Sequence, residues 1–188
     1  MKIKILVITL FVFASSVYSQ IAPGSIKIEY KNDILGMVTT LTLYKKDNLV
    51  KLYRSENGRS FTTIIDYNEN KYYDIAEDNK KTGNKYNSIN YTAITGMWHI
   101  LFNGLNETIR SWERLPAQQT VAGKLCDVYD SGKPSVGGAK MQYFFYGDIM
   151  LKMDKLGNKI EAVSVDDAPV FTDDEFNVPA DVNWIFER

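Results

Sequence analysis

One histidine, His99, and one cysteine, Cys126, are all that the chain offers for a thiol–imidazole pair. Such a pair needs the two side chains in contact and a third group to orient the base. His99 falls in a stretch with helical apolar spacing, and Cys126 falls in the strand-like "GKLCDVYD". Both read as core or flank residues, since cysteine is among the most readily buried side chains. No G-x-S-x-G elbow, S-x-x-K, H-E-x-x-H or glycine-rich phosphate loop occurs. A single histidine and cysteine also fall short of the usual zinc ligand set. We therefore expect no catalysis, no cofactor and no metal centre. The acidic run "DDAPVFTDDEF", residues 166–175, has carboxylates that suit a hard cation such as calcium. Its spacing is not that of an EF-hand, and Pro169 with apolar neighbours interrupts it, so the favoured reading is a solvated loop. Twelve tyrosines give a high aromatic content, with Tyr44, Tyr53, Tyr67, Tyr72, Tyr73, Tyr86 and Tyr91 crowded into the first half. Strand propensity alone enriches tyrosine.

The elements that would position any site start with the first residues. Lys2 and Lys4 precede an apolar run from Ile5 to Ala14 and then "SSVYSQ". That order is a basic region, a short apolar region and a cleavage site with Val17 at −3 and Ser19 at −1. The run falls short of the roughly 20 apolar residues that span a bilayer. We expect residues 1–19 to be a signal peptide and 20–188 to be one exported domain, periplasmic or secreted. Cleavage after Ser19 removes Lys2 and Lys4 and no acid, leaving 20 basic against 23 acidic residues. Such a balance does not favour nucleic acid or an anionic membrane surface. One cysteine cannot form an internal disulfide, so the core must hold this domain.

Strand signals recur every 8–12 residues or so. "SIKIEYK" alternates cleanly, followed by "VTTLTLYKK", "NLVKLYRS", "RSFTTIIDY" and "NKYYDIAE". Turn residues separate them in "KKDN", "SENGR", "YNEN" and "EDNKKTGN". Short loops of this kind join antiparallel neighbours, and no long crossover for a parallel pair is evident. Further on, "TIRSWERL", "QQTVAGKLCDVYD", "AKMQYFFYG", "IMLKMDKLG" and "NKIEAVSVDD" are strand candidates, with "FNVP" closing the set. "MQYFFY" and "IMLKM" are apolar on both faces, as strands covered on both sides, or with one face lining a cavity, would be. Between the two groups, Ile94, Met97, Trp98, Leu101, Phe102 and Leu105 recur at helical spacing. The expected fold is mainly β: a curved antiparallel sheet of about ten strands, an incomplete barrel, with one amphipathic helix near residues 92–104 covering it.

The segments "TLYKKDNLVKLYRS", "TTIIDYNENKYYDI" and "MQYFFYGDIMLKMDKLGNKIEAVSVDD", with Phe176-Asn177-Val178-Pro179 at the close, resemble the strand and turn pattern of the LolA/LolB-like periplasmic lipoprotein carriers. "TVAGKLCDVYD" is also similar to a strand of exported Bacteroidetes-type proteins with a related fold. The resemblance spans about Ile26 to Trp184. It implies a half-barrel whose open, apolar mouth is covered by helix, and Lys46 at the position of the family's basic turn residue. The family's long N-terminal helix has no counterpart between Gln20 and the first strand, and Lys46 lacks the planar fork of an arginine.

The resemblance, together with the apolar helix, points to a non-enzymatic carrier or binder of a lipid or lipidated protein in a cavity between sheet and helix. Its wall would draw on Leu41, Leu43, Tyr53, Phe61, Ile65, Met97, Trp98, Leu101, Phe102 and Phe145. The alternative is an envelope interaction module with a filled core that binds another protein. Void volume discriminates the two.

Overall fold

The computed structural model describes residues 24–34, 36–56, 58–78, 80–89, 101, 107–132, 141–155 and 158–187. The expected signal peptide lies outside these residues, and so does the covering helix of residues 92–104 apart from Leu101.

Alternation of apolar and polar residues builds the first half as a meander. β1 (Ser25–Ile34), β2 (Met37–Lys46), β3 (Leu49–Glu56), β4 (Arg59–Asp66), β5 (Lys71–Ala76) and β6 (Thr82–Tyr86) pair antiparallel in sequence order. Two-residue loops set the register. Lys46 pairs with Leu49 across Asp47-Asn48, and Asp47 takes a φ of 50°. Glu56 pairs with Arg59, with Gly58 at a φ of 76°. Positive φ is what tight hairpin turns demand.

A four-residue helix, α1 (Glu107–Arg110), precedes β7 (Glu113–Arg114) and β8 (Gln119–Val121). β9 (Lys124–Asp130), β10 (Gln142–Tyr146), β11 (Ile149–Lys155) and β12 (Asn158–Asp166) form a second antiparallel run. β12 then pairs with β1 and joins the two halves. A 3₁₀ turn, Asp173–Phe176, leads to β13 (Asn183–Glu187). The strand order is β13-β6-β5-β4-β3-β2-β1-β12-β11-β10-β9-β7, with β8 beside β9. The sheet is open, with β13 and β7 at its edges.

Five expectations are corrected. Thirteen strands are present among the described residues rather than about ten. "QQTVAGKLCDVYD" is a hairpin, not one strand, because Ala122 and Gly123 both take positive φ, 47° and 77°. "TIRSWERL" supplies α1 and only two strand residues, and "FNVP" is no strand, since Phe176 ends the 3₁₀ turn. Finally, β13 pairs parallel with β6. The two strands are not consecutive: β7 to β12 lie between them in the chain, and residues 167–182 lead from β12 to β13.

The inner face carries the main core. Ile28, Leu43, Leu52, Ile65, Ile160 and Phe145, on six strands, are each no more than 1% exposed and belong to one cluster. Leu101 and Ile109 are buried in the same cluster, and Trp112 packs against Tyr143 with ring centres 5.1 Å apart. Leu101, Ile109 and Trp112 therefore add cover to the inner face. As expected, β10 and β11 are buried on both sides: Tyr143, Phe144, Phe145, Met150 and Leu151 are all buried. A smaller cluster of Ile64, Ile75 and Val182, with Trp184 and Val178 against it, sits on the outer face.

Candidate functional site

Five of the expected wall residues meet. Leu41, Leu43, Ile65, Leu101 and Phe145 lie in the main cluster and are exposed by 2% or less. Tyr53 is a correction. It is paired with Thr42 and Thr62, one step out of phase with Leu52, and so faces outward at 39% exposure. Its hydroxyl bonds to Ser60 Oγ at 2.8 Å. The signal was present in the sequence: a two-residue loop at Asp47-Asn48 places Leu43 opposite Leu52 and leaves Tyr53 on the other face. Phe61 shares the inner face, opposite Arg54, but lies outside the core clusters. Its ring sits between two guanidinium groups, Arg54 at 5.0 Å and Arg59 at 5.4 Å. Met97, Trp98 and Phe102 lie outside the described residues, as does His99.

Beside Phe61 the inner face turns polar, which sequence reading missed. Arg54 donates to Thr63 Oγ1 at 2.7 Å and to Asp74 Oδ1 at 3.1 Å, and Thr63 Oγ1 donates to the same carboxylate oxygen at 2.8 Å. Three consecutive strands supply the three residues: Thr63 and Asp74 are direct register partners, and Arg54, opposite Phe61, reaches Thr63 diagonally. Burial, together with the Asp74 charge, pushes the neighbouring Tyr72 hydroxyl well above its ordinary range. The cluster joins a charge pair to hydroxyl groups and holds β3, β4 and β5 in register.

Lys46 is half-buried at the end of β2 and makes no ion pair among the described residues. The turn after it is tied instead through the backbone, where Asp47 N–H donates to Gly24 O at 2.6 Å. Cys126 is fully buried, with Sγ 3.5 Å from Lys124 O. Burial pushes its thiol up to about 11, the opposite of an activated nucleophile.

The acidic run is a strap across the outer face. Asp167 binds Lys124 and approaches Tyr146 Oη at 3.4 Å. Phe171 packs edge-on to Tyr44, Glu175 pairs with Lys51 at 2.9 Å, and Val182 reaches Ile64 and Ile75. No group of three or more His, Cys, Asp or Glu arranged to hold a metal occurs among the described residues.

Where the strap does not reach, the outer face of β11, β12 and β1 carries alternating charges. Glu161 lies between Lys152 and Lys31, and Lys159 lies between Asp154 and Asp33. A groove of about 180 Å³ runs among Lys31, Asp33, Lys159, Glu161 and Val163. Val163, in its lining, is 60% exposed, and Val38, the register partner of Asp33 on β2, is 53% exposed. No helix of the described residues is long and apolar enough to cross a membrane.

No family model matches the chain, and no curated protein matches it. Among solved structures, an uncharacterized conserved protein from Thermus thermophilus is similar over 87% of this chain and 91% of its own. The TM-score is 0.54 and the identity 11%. PNGF-II is similar over 88% of this chain at a TM-score of 0.51 and 12% identity, and the chain spans only 32% of its length. MucB in complex with MucA(peri) aligns over 84% of this chain at a TM-score of 0.49 and 10% identity, too loosely to bear on function. The likeness to the first two is one of fold alone.

Proposed function

We propose that this protein is an exported, non-enzymatic interaction module whose inner face is filled by its own core and which binds another envelope protein. One observation carries the reading. Leu43 and Leu101 are 0% exposed, Ile65 and Phe145 1%, and Leu41 2%. A void wide enough for an alkyl chain leaves surface on the side chains that line it. These five retain almost none.

Export rests on the signal-peptide pattern of residues 1–19. The absence of catalysis rests on the raised Cys126 thiol and on acidic residues already engaged by Lys51, Lys81 and Lys124. For the partner, the uncovered part of the outer face offers Val38 and Val163 amid charges of both signs. An apolar spot rimmed by charge is a usual interface pattern.

The test is native mass spectrometry of residues 20–188 from an envelope extract, with titration of a fluorescent fatty-acid probe. A single clean mass and no probe uptake are expected. Adducts that dissociate as lipid or acylated peptide would overturn the filled core, restore the carrier reading and make Lys46 the next residue to change. A photo-crosslinker at Val163 should then capture one envelope protein, and Val38→Asp should abolish that capture.

A further inference from the structure

We propose that residues 171–187 act as an arm that exchanges between two copies of this chain, each arm lying on the other copy's outer face and adding β13 beside the other copy's β6. The proposal does not depend on the partner-binding reading.

The charges are sorted along the path of the arm. Glu175 pairs with Lys51, Asp181 with Lys81 and Glu187 with Lys85, while Asp167, ahead of the joint, is held by Lys124. In all three arm pairs the acid is on the arm and the lysine is on the track beneath it. A random solvated surface would mix the two signs. Apolar contacts follow the same path: Phe171 meets Tyr44, Val182 meets Ile64 and Ile75, and Trp184 meets Tyr73. Gly83 leaves room for this seat, since a Cβ there would lie 2.9 Å from the Trp184 ring. The track is thus cut to an acidic, aromatic strand, and a second copy of this chain supplies one.

The joint before the arm is built to re-aim. Asp166 Oδ1 accepts from Ala168 N–H at 3.0 Å, and then packing lapses: Ala168 is exposed and Val170 is 98% exposed. Pro169 biases Ala168 towards extended backbone, which favours an arm that runs on rather than folds back. Among the described strands β13 has one ladder partner, β6, and theirs is the one parallel pair. Leaving the arm undocked would uncover Ile64 and Ile75, so an open copy has reason to take up another's arm. Closed and exchanged forms make the same contacts, which is the condition for exchange at low cost. Concentration and the joint then decide between them.

The experiment uses Lys85→Cys and Glu187→Cys in separate full chains, one isotope-labelled. Lys85 and Glu187 are register partners, with Nζ 2.5 Å from Oε1. The two are mixed, unfolded and refolded together at about 1 mM, the scale of an intramolecular effective concentration, and then oxidised. We expect a disulfide between labelled and unlabelled chains and a dimer by light scattering. Either single variant alone should give far less. The double variant, Lys85→Cys with Glu187→Cys, refolded dilute, should close within one chain and so prove the pair able to bond. A mixture that stays monomeric and lacks the mixed disulfide, while the dilute double variant closes, overturns the proposal. Pro169→Gly should lower the dimer fraction several-fold.

Discussion

The inner face of the sheet buries Leu43, Leu52, Ile65 and Phe145 to 1% exposure or less, whereas the buried cluster on the outer face has three members, Ile64, Ile75 and Val182. The inner cluster extends across both halves of the sheet. The outer one is local to β4 and β5, and its cover is held as much by Lys51–Glu175 and Lys81–Asp181 as by apolar contact. A sheet twisted around one core thus closes one side by hydrophobic collapse and the other by a fitted strap. The first kind of closure is general and deep. The second is specific and shallow, because half-exposed ion pairs contribute little each.

The difference predicts a ranking of effects. Phe145→Ala should be the most damaging, at about 3–5 kcal/mol for an aromatic removed from a packed core, read by urea unfolding. A loss below 1 kcal/mol would mean that the inner face is loosely filled. Ile75→Ala, its counterpart on the outer face, should cost less, about 2 kcal/mol, since half-buried Tyr73 and Trp184 can settle into the gap. Equal losses at the two sites would erase the contrast. Tyr30→Phe comes next, at about 1 kcal/mol, because its buried hydroxyl donates to Met150 O at 2.8 Å and ties β1 to β11. Thermal unfolding of that variant with no change in midpoint would remove this bond from the account.

The smallest effect is that of acid on the strap. Hydrogen bonding from Lys124 holds the Asp167 carboxyl below its ordinary value of 3.8, and Lys81 does the same for Asp181. Both groups are depressed on folding, so their contribution is present above that ordinary value and is lost as pH falls through the lowered one. Below about pH 4, β13 amides should exchange hydrogen faster relative to β4 amides, after correction for intrinsic rates. Parallel loosening of both strands would show that the strap has no separate titration.

Much of the fold was legible in the sequence. β1 follows from clean alternation and β2 to β5 from strand-prone runs cut by turn residues, and the hairpin turns at Asp47-Asn48 and Gly58 follow from residues that accept positive φ. What alternation could not convey is pairing at long range. β6, "TGNKY", lies in a stretch that reads as turn, and it becomes a strand because β5 and β13 flank it on both sides. Ala122 carries no turn signal of its own, yet it takes a φ of 47° because Gly123 and the β8–β9 pairing impose it. Of the candidate site, the aliphatic wall residues were legible as apolar positions, and the register error at Tyr53 came from not carrying the loop length through to the facing strand. Arg54, Thr63 and Asp74 were hidden, since their adjacency exists only across three strands.

At Ile185 the register between β13 and β6 slips by one residue. Trp184 therefore packs on the outer cluster, while Phe186, two positions on, meets Tyr86 beside the inner one. The same irregularity, with Ile185 standing out at 72% exposure, puts the free rim of the sheet out of step with any regular strand laid along it. An irregular rim of this kind disfavours rim-to-rim stacking of sheets. A deletion of Ile185 would straighten that rim, and its first symptom in a purified sample would be turbidity.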